Sequence, residues 1–331
     1  INDRLTIYSG NENSDKSSFS EDVKAGFYLL QKELQPKYFY DSEGSELFEK
    51  ICTTPEYYVT RTETAILKEH GHNIINYSAG IESICELGSG ASLKTRYLID
   101  SYIKQFNHLH YIPVDVSPIL RSSSLSLCND INEIKISGIM SEYENGLDIS
   151  NSLFPEPKLI IFLGSSIGNF DLYDAKKFIK SVSESMIDED YLLVGFDMVK
   201  SKSILHPAYN DKDRHTAKFN LNVLDRINKE LGGNFDLNGF EHIAFFNDAE
   251  SRVEMHLVSK VNQLVYIEAL KEIFRFKMDE TIHTENSYKF TDSMIRNLAD
   301  FAGLNIINKW TDDKNYFSLV LFSKRKYGYG K

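Results

Sequence analysis

The chain has 331 residues, 42% apolar and 26% charged, enough for one large buried core plus an inserted second one. Its formal charge of -11 carries no basic stripe, which excludes nucleic acid as a partner. No apolar run of about 18 residues exists to span a membrane, the polar start Asn2-Asp3-Arg4 carries no signal-peptide core, and Cys52, Cys85 and Cys128 stand far apart, as free thiols of a reducing compartment do. A cytoplasmic protein without a membrane partner is predicted.

Residues 10–22 are polar and read as a mobile arm or a long turn. From Ser45 to His70 the chain reads as helix, interrupted at Thr53-Thr54-Pro55. The rhythm then changes. A short apolar strand, 83–87, ends in Gly88-Ser89-Gly90 and is followed by helical spacing over 92–106. A second strand is read at 108–116, a helix at 117–128, a third strand near 132–137 and a fourth at 158–164. Asp171 caps a predicted helix whose Leu172, Ala175, Phe178, Ile179, Val182 and Met186 recur at helical intervals, and 191–196 is another buried strand. Strands alternating with helices predict an α/β, doubly wound parallel sheet covered on both faces. Beyond residue 200 a long helix spans 214–231, and 241–247, 251–259 and 262–268 alternate as antiparallel hairpins would. The helix-strand pattern returns at 290–302 and 305–312, with a last strand at 316–323. The α/β domain is therefore interrupted by an insertion, which joins the first 60 or so residues in a second domain. The basic run Lys324-Arg325-Lys326 reads as a solvated end.

The first chemical signal is the turn Gly88-Ser89-Gly90 between a strand and a helix. Glycines there permit a tight turn and a close approach of the backbone to a ligand. Asp115, at the end of the second strand, can accept from both ribose hydroxyls of an adenosine. A dinucleotide fingerprint would place a third glycine where Leu93 stands. Lys94 at the helix start suits a carboxylate, which S-adenosylmethionine carries, better than a buried pyrophosphate. A methyl donor is favoured over a nicotinamide.

The strings PKYFYD (36–41), GSELFEKI (44–51), PEYYVTRTE (55–63), ELGSGASLKTR (86–96), FLGSSIGNF (162–170), AYND (208–211), TAKFNLNVLDRIN (216–228), RVEMHL (252–257) and ENSYKF (285–290) occur together and in this order. By them the chain resembles the histidine-specific Nα-methyltransferases, the first enzymes of ergothioneine biosynthesis, over about residues 25–323. The resemblance implies a Rossmann-like S-adenosylmethionine methyltransferase domain, 62–199 and 289–331, and an inserted α+β substrate-binding domain, 1–61 and 200–288. It implies three successive methyl transfers from S-adenosyl-L-methionine to the α-amine of L-histidine, giving hercynine. A monomer acting on this small molecule is predicted.

It also implies roles for residues. Gly88, Ser89, Gly90, Lys94 and Asp115 contact the cofactor. The family's acidic-aromatic pair after the third strand falls here on Ile139 and Met140; either the backbone and Met140 hold the adenine, or Glu142-Tyr143 takes the role. Asn169 and Tyr209 hold the substrate carboxylate as neutral donors, and Gly164 and Tyr57 also bind substrate. Glu285 and Ser287 grip the imidazole, one accepting from a ring N–H and the other serving the second nitrogen. Met255 packs on the ring, and Tyr40 and Phe48 line the amine pocket. Apart from the resemblance, the chemistry predicts no dedicated strong base: a water relayed through Tyr40 or Tyr57 is enough to take the amine proton. The alternative reading is the same chemistry on tryptophan or a modified histidine.

Other features carry less. The pairs His70/His72 and His108/His110 lack a zinc-site arrangement, and no metal is expected. The serine runs at 122–124 and 165–166 lack the Gly-x-Ser-x-Gly elbow of a hydrolase. Thr311-Asp312-Asp313 reads as an acidic turn.

Overall fold

In this computed structural model the described residues are 3–9 and 15–325. They form two compact units, one of residues 3–9, 59–199 and 288–325, the other of 15–58 and 200–287. In chain order the elements begin with β1 (Leu5–Ser9), α1 (Asp15–Tyr28), β2 (Lys32–Glu33), α2 (Ser42–Thr53) and α3 (Tyr58–Tyr77). The alternating part follows as β3 (Ser83–Leu87), α4 (Arg96–Phe106), β4 (Leu109–Asp115), α5 (Ile119–Asp130), β5 (Ile134–Met140), α6 (Tyr143–Leu153), β6 (Lys158–Phe162), α7 (Leu172–Ser185) and β7 (Tyr191–Asp197). Then come α8 (Lys202–Tyr209), α9 (His215–Leu231), β8 (Phe240–Asn247), β9 (Arg252–Ser259), β10 (Gln263–Ile267), β11 (Glu272–Phe276) and β12 (Thr281–Tyr288). The chain closes with α10 (Asp292–Ala302), β13 (Leu304–Thr311) and β14 (Phe317–Lys324).

The first unit is built on one sheet in the order β1-β5-β4-β3-β6-β7-β14-β13. Pairs from β1 to β7 are parallel, and β14 returns antiparallel to β7. β3 and β6 are buried at every residue, as strands covered on both faces must be. Strand order reverses between β3 and β6, which opens a crevice at their carboxyl ends, the place where doubly wound sheets take ligands. Ala175, Phe178, Ile179 and Val182 of α7 pack on Cys85, Ile160 and Phe162 of the sheet, in the stripe their spacing predicts. Burying a Phe or Ile side chain contributes about 1.5–3 kcal/mol each, which seats the helix. Asp171 occupies the N-cap of α7, but its side chain makes no capping bond; its carbonyl takes the Ala175 N–H at 2.7 Å.

Two expectations are corrected here. Residues 5–9 do not belong with the second domain: β1 pairs in parallel with β5 and forms an edge of the first unit's sheet. Residues 15–22 are not an arm: they open α1, whose Phe19, Val23 and Phe27 are buried at four-residue spacing, a stripe hidden in sequence by polar neighbours. Residues 10–14 lie outside the described residues. Of the basic run, Lys324 donates to the Met186 carbonyl at 2.6 Å and Arg325 pairs with Asp300; Lys326 lies outside the described residues.

The second unit holds a four-stranded sheet, β2-β12-β9-β8, and a two-stranded ribbon, β10-β11. β8 and β9 form the predicted hairpin, in register from Phe240 with Ser259 to Asn247 with Arg252. Strand 262–268 does not extend that hairpin. It pairs with β11 instead, and β12 takes the place beside β9. Among the described residues no helix is long and apolar enough to cross a membrane.

Candidate functional site

The turn after β3 is longer than predicted, because Ser92 is left-handed (φ 55°) and α4 starts only at Arg96. Gly88 (φ 72°) and Gly90 (φ 48°) are left-handed too, a conformation that costs other residues about 1–2 kcal/mol. A side chain at Gly90 would meet nothing within 4 Å, so open space stands before it. The N–H groups of Gly88 and Ser89 donate to the Val114 carbonyl at 2.8 and 3.2 Å. Gly90 N–H donates to Asp115 Oδ2 and Ser117 N–H to Oδ1, both at 2.7 Å. Burial pushes the Asp115 carboxyl up from its ordinary value, and these backbone donors pull it back in part. An ionised carboxylate offers about four acceptor sites, so Asp115 suits ribose hydroxyls in addition to these donors. The Ser89 hydroxyl is buried and has no partner among the described residues. A buried orphan of this kind calls for a ligand or a water. Open space, an orphaned hydroxyl, an acceptor carboxylate and the Lys94 ammonium fit the adenosine and amino-acid ends of S-adenosylmethionine.

The residues read for the adenine side differ in how open they stand. Ile139 is fully buried in the sheet core, so its side chain is unavailable to a ligand. Met140 is half-buried and pairs with Asp115 across the sheet. It is Tyr143 whose ring stands beside the glycine turn, 3.3 Å from where a side chain at Gly88 would begin. Burial, and then the charge of Asp115, push the Tyr143 hydroxyl well above its ordinary value.

Lys94 donates to Glu63, a fully buried carboxylate on α3. Glu63 also accepts from Gly164 N–H at 2.8 and 3.0 Å through its two oxygens. Gly164 therefore has its N–H committed, and what it can offer a ligand is its carbonyl. Glu63 closes the matched string PEYYVTRTE, but nothing in its spacing singled it out. Beyond Gly164 (φ 78°) the chain turns through a short 3-10 segment, Ser166–Asn169, and leaves Asn169 half-buried at its end. The Asp197 N–H donates to Ser165 Oγ at 2.9 Å, and the Asp197 carboxylate pairs at 3.0 Å with Lys289, both side chains buried. A side chain at Gly168 would meet the Tyr288 carbonyl at 2.9 Å, so only glycine lets this turn pack there.

The second unit brings together most of the predicted substrate residues. Asp41 caps α2 by accepting from Gly44 N–H at 2.7 Å and takes the Asn222 amide of α9 at 2.8 Å. This sets Tyr40 and Phe48 against one another, ring centres 5.6 Å apart and edge to face. Phe48 meets Tyr57 at 6.2 Å and Tyr57 meets Tyr209 at 6.3 Å. Tyr209 ends α8; its carbonyl is tied to His242 at 2.9 Å, and Asp211 caps α9 by accepting from His215 and Thr216 N–H, both at 2.8 Å. The AYND string thus joins a site tyrosine to a helix cap. Tyr209 Oη and Ser287 Oγ are 2.7 Å apart. Burial raises the Tyr57 phenol well above its ordinary value, and Tyr209, Cys52, Tyr40 and Glu285 add to it in that order. Tyr57 is a neutral phenol at any working pH. Met255 is buried on β9, and its carbonyl accepts from Thr284, the residue before Glu285, at 3.0 Å.

Sequence reading passed over one cluster beside these residues. Glu254, His256 and His283 offer ligand atoms within 4.8 Å of one another. His256 Nε2 stands 3.2 Å from Glu254, and its ring stacks between Phe245 (5.4 Å) and His283 (4.7 Å, 19° between planes). Near-parallel rings send their in-plane lone pairs along near-parallel lines, so the geometry is that of a stack. His283 Nε2 reaches the Glu285 carbonyl at 3.2 Å, so the stack braces the strand that carries Glu285.

The sheet order, the open glycine turn and its acidic partner define a Rossmann-like methyltransferase. Residues 19–324 match the sequence family described as histidine-specific methyltransferase, SAM-dependent. The chain is 39% identical over 304 residues to a histidine N-alpha-methyltransferase of Mycolicibacterium smegmatis, covering 91% of this chain and 93% of that one. It is 35% identical over 316 residues to the histidine N-alpha-methyltransferase of Mycobacterium tuberculosis, covering 95% and 97%. It is also similar, at 25% identity over 333 residues, to a 4-dimethylallyltryptophan N-methyltransferase of Claviceps purpurea, covering 93% and 96%. The chain belongs to the histidine-specific, S-adenosylmethionine-dependent methyltransferase family, and S-adenosylmethionine is its methyl donor.

Proposed function

We propose that the chain methylates the α-amine of L-histidine three times to give hercynine, the first step of ergothioneine biosynthesis, as a monomer in the cytoplasm. The observation that carries this reading is the grouping of Glu285, Ser287, Tyr57 and Tyr209 in one aromatic cluster of the second unit. A carboxylate and a hydroxyl two residues apart match the two nitrogens of an imidazole, one donating and one adaptable. Relatives at 39% and 35% identity bear the histidine N-alpha-methyltransferase name, against 25% for the tryptophan-derived one. Three cysteines that form no disulfide among the described residues fit a reducing compartment.

When bound, S-adenosylmethionine supplies a sulfonium methyl that is already activated toward a nucleophile. The chain's own work is then placement, which can lower the barrier by up to roughly 7–11 kcal/mol. Gly88, Ser89, Gly90, Asp115 and Lys94 are assigned to the cofactor, and the ring of Tyr143 to its adenine side. Asn169 and Tyr209 are assigned to the substrate carboxylate as neutral donors, which keeps fixed positive charge away from the amine; the Gly164 carbonyl is an acceptor for the amine itself. The amine attacks as the free base, so it must first give up a proton. Tyr57, held neutral by burial, passes that proton to water by hydrogen bonding, with Tyr40 beside it. The faces of Tyr40, Phe48 and Tyr57 favour the growing methylammonium by roughly 0.5–2 kcal/mol, which supports continuing to the third methyl. Met255 packs against the imidazole.

Mass spectrometry of a reaction with S-adenosylmethionine and the twenty amino acids pooled tests the reading. A gain of three methyls on histidine alone is expected. Methylation of tryptophan in its place, or of no amino acid, overturns it. Light scattering on the eluting peak tests the monomer.

A further inference from the structure

Glu63 has no part in the steps above, yet the first unit is built around its carboxylate. The side chain is fully buried on α3. A charge in that position is costly unless partners meet it on every side. One partner is the Lys94 ammonium; the others are the two bonds from Gly164 N–H, at 2.8 and 3.0 Å. Space for the carboxylate is kept by a glycine in the middle of a strand. β7 reads Tyr-Leu-Leu-Val-Gly-Phe-Asp, and a side chain at Gly195 would begin 2.4 Å from Glu63 Oε1. Glycine weakens a strand interior, and its presence there marks a close approach. Gly164 shows the same from the other side, since a side chain there would come 3.2 Å from Lys94 Nζ.

A lysine head on a four-carbon stem is a mobile point charge, and holding it at one place needs a fixed anion. The ammonium has three donors, so engaging Glu63 does not prevent it from engaging a second carboxylate. We propose that Glu63 is a positioning residue that aims the Lys94 ammonium at the carboxylate of the cofactor's amino-acid tail, while the same group fixes the Gly164 turn. This rests on the reading of Lys94 as the partner of that carboxylate. The opposite role, in which Glu63 competes with the incoming carboxylate for Lys94, predicts tighter cofactor binding once Glu63 is neutralised.

The test titrates two ligands by calorimetry: S-adenosylhomocysteine, which has the tail, and 5′-methylthioadenosine, which has the same nucleoside without it. Glu63→Gln keeps a carbonyl for Gly164 N–H but loses the charge that holds Lys94. It should weaken S-adenosylhomocysteine about tenfold, the worth of one charged hydrogen bond, and leave 5′-methylthioadenosine unchanged. In a Lys94→Met background the same substitution should add almost nothing, because the two residues act as one unit. Unchanged or tighter binding of S-adenosylhomocysteine by Glu63→Gln overturns the proposal, as does equal weakening of both ligands, which a merely structural role would give. If Lys94→Met binds S-adenosylhomocysteine as the wild type does, it is the underlying reading of Lys94 that fails.

Discussion

In the proposed function, Glu285 is the residue on which substrate choice turns. It is 9% exposed, two positions from Ser287 and close enough to Tyr57 to raise its phenol. Removing the carboxylate leaves an imidazole N–H without its acceptor, and such a loss costs about 1.5–3 kcal/mol where the acceptor is charged. Glu285→Ala should therefore raise the KM for histidine by about tenfold or more, with kcat affected less, since the ring lies away from the reacting amine. Steady-state kinetics over histidine concentration read this directly, and an unaltered KM removes Glu285 from recognition. Asp115 makes the complementary case. Its oxygens face the glycine turn, and ribose hydroxyls are common to S-adenosylhomocysteine and 5′-methylthioadenosine. Asp115→Ala should weaken both ligands together, unlike Glu63→Gln, and normal titration of either would show that the ribose lies elsewhere.

Among the elements, α2 is tied to α9 through a single capping residue. Asp41 satisfies an orphan N–H of the helix through Gly44 and holds the Asn222 amide of α9. Loss of an N-cap costs about 0.5–2 kcal/mol, so Asp41→Ala should lower the urea unfolding midpoint by that cost divided by the slope, with the slope itself unaltered. An unchanged midpoint would mean that the cap contributes nothing to holding Tyr40 and Phe48. The elements that the sequence disclosed were those with one strong period. β3, β4, β6, β7 and α7 are apolar runs or full helical stripes, and each lies within a few residues of its prediction. α1 escaped because only Phe19, Val23 and Phe27 mark its buried face among serines and acids. β12 escaped because its burial changes phase between Thr284 and Glu285, where polar site residues replace the apolar alternation. The site followed the same rule. Glycines with positive φ and a strand-end acid are local features and could be read. Glu63 meets Lys94 and Gly164 only through tertiary contact, and the His256 stack depends on strand neighbours, so neither has a spacing to betray it.

At the scale of the whole molecule, proton binding sets how the fold answers to pH. His110, His242 and His256 all have pKa values lowered from the ordinary 6.5, burial being the largest cause in each. Below 6.5 the unfolded chain takes up protons at these rings that the folded chain does not. Stability is then lost as pH falls through that value. Glu86 works in the other direction. Burial raises it to about 7 despite hydrogen bonds from Thr95 and Tyr111, so between 4.5 and 7 the folded chain holds a proton that the unfolded chain has released. Its contribution is present at low pH and fades as pH rises through that interval. Asp115 and Asp190, whose carboxyls burial also raises, act on the side of Glu86. The three rings dominate near their own 6.5, so the urea midpoint should fall as pH is lowered from 7 to about 5.5. Glu254, held at about 2 chiefly by bonds from Asn247, Arg252 and His256 that outweigh its burial, adds to the loss only below 4.5. His256→Gln should flatten the acid limb by removing one of the three rings. A midpoint that stays level or rises on acidification would show that His110, His242 and His256 keep their protons in the folded protein.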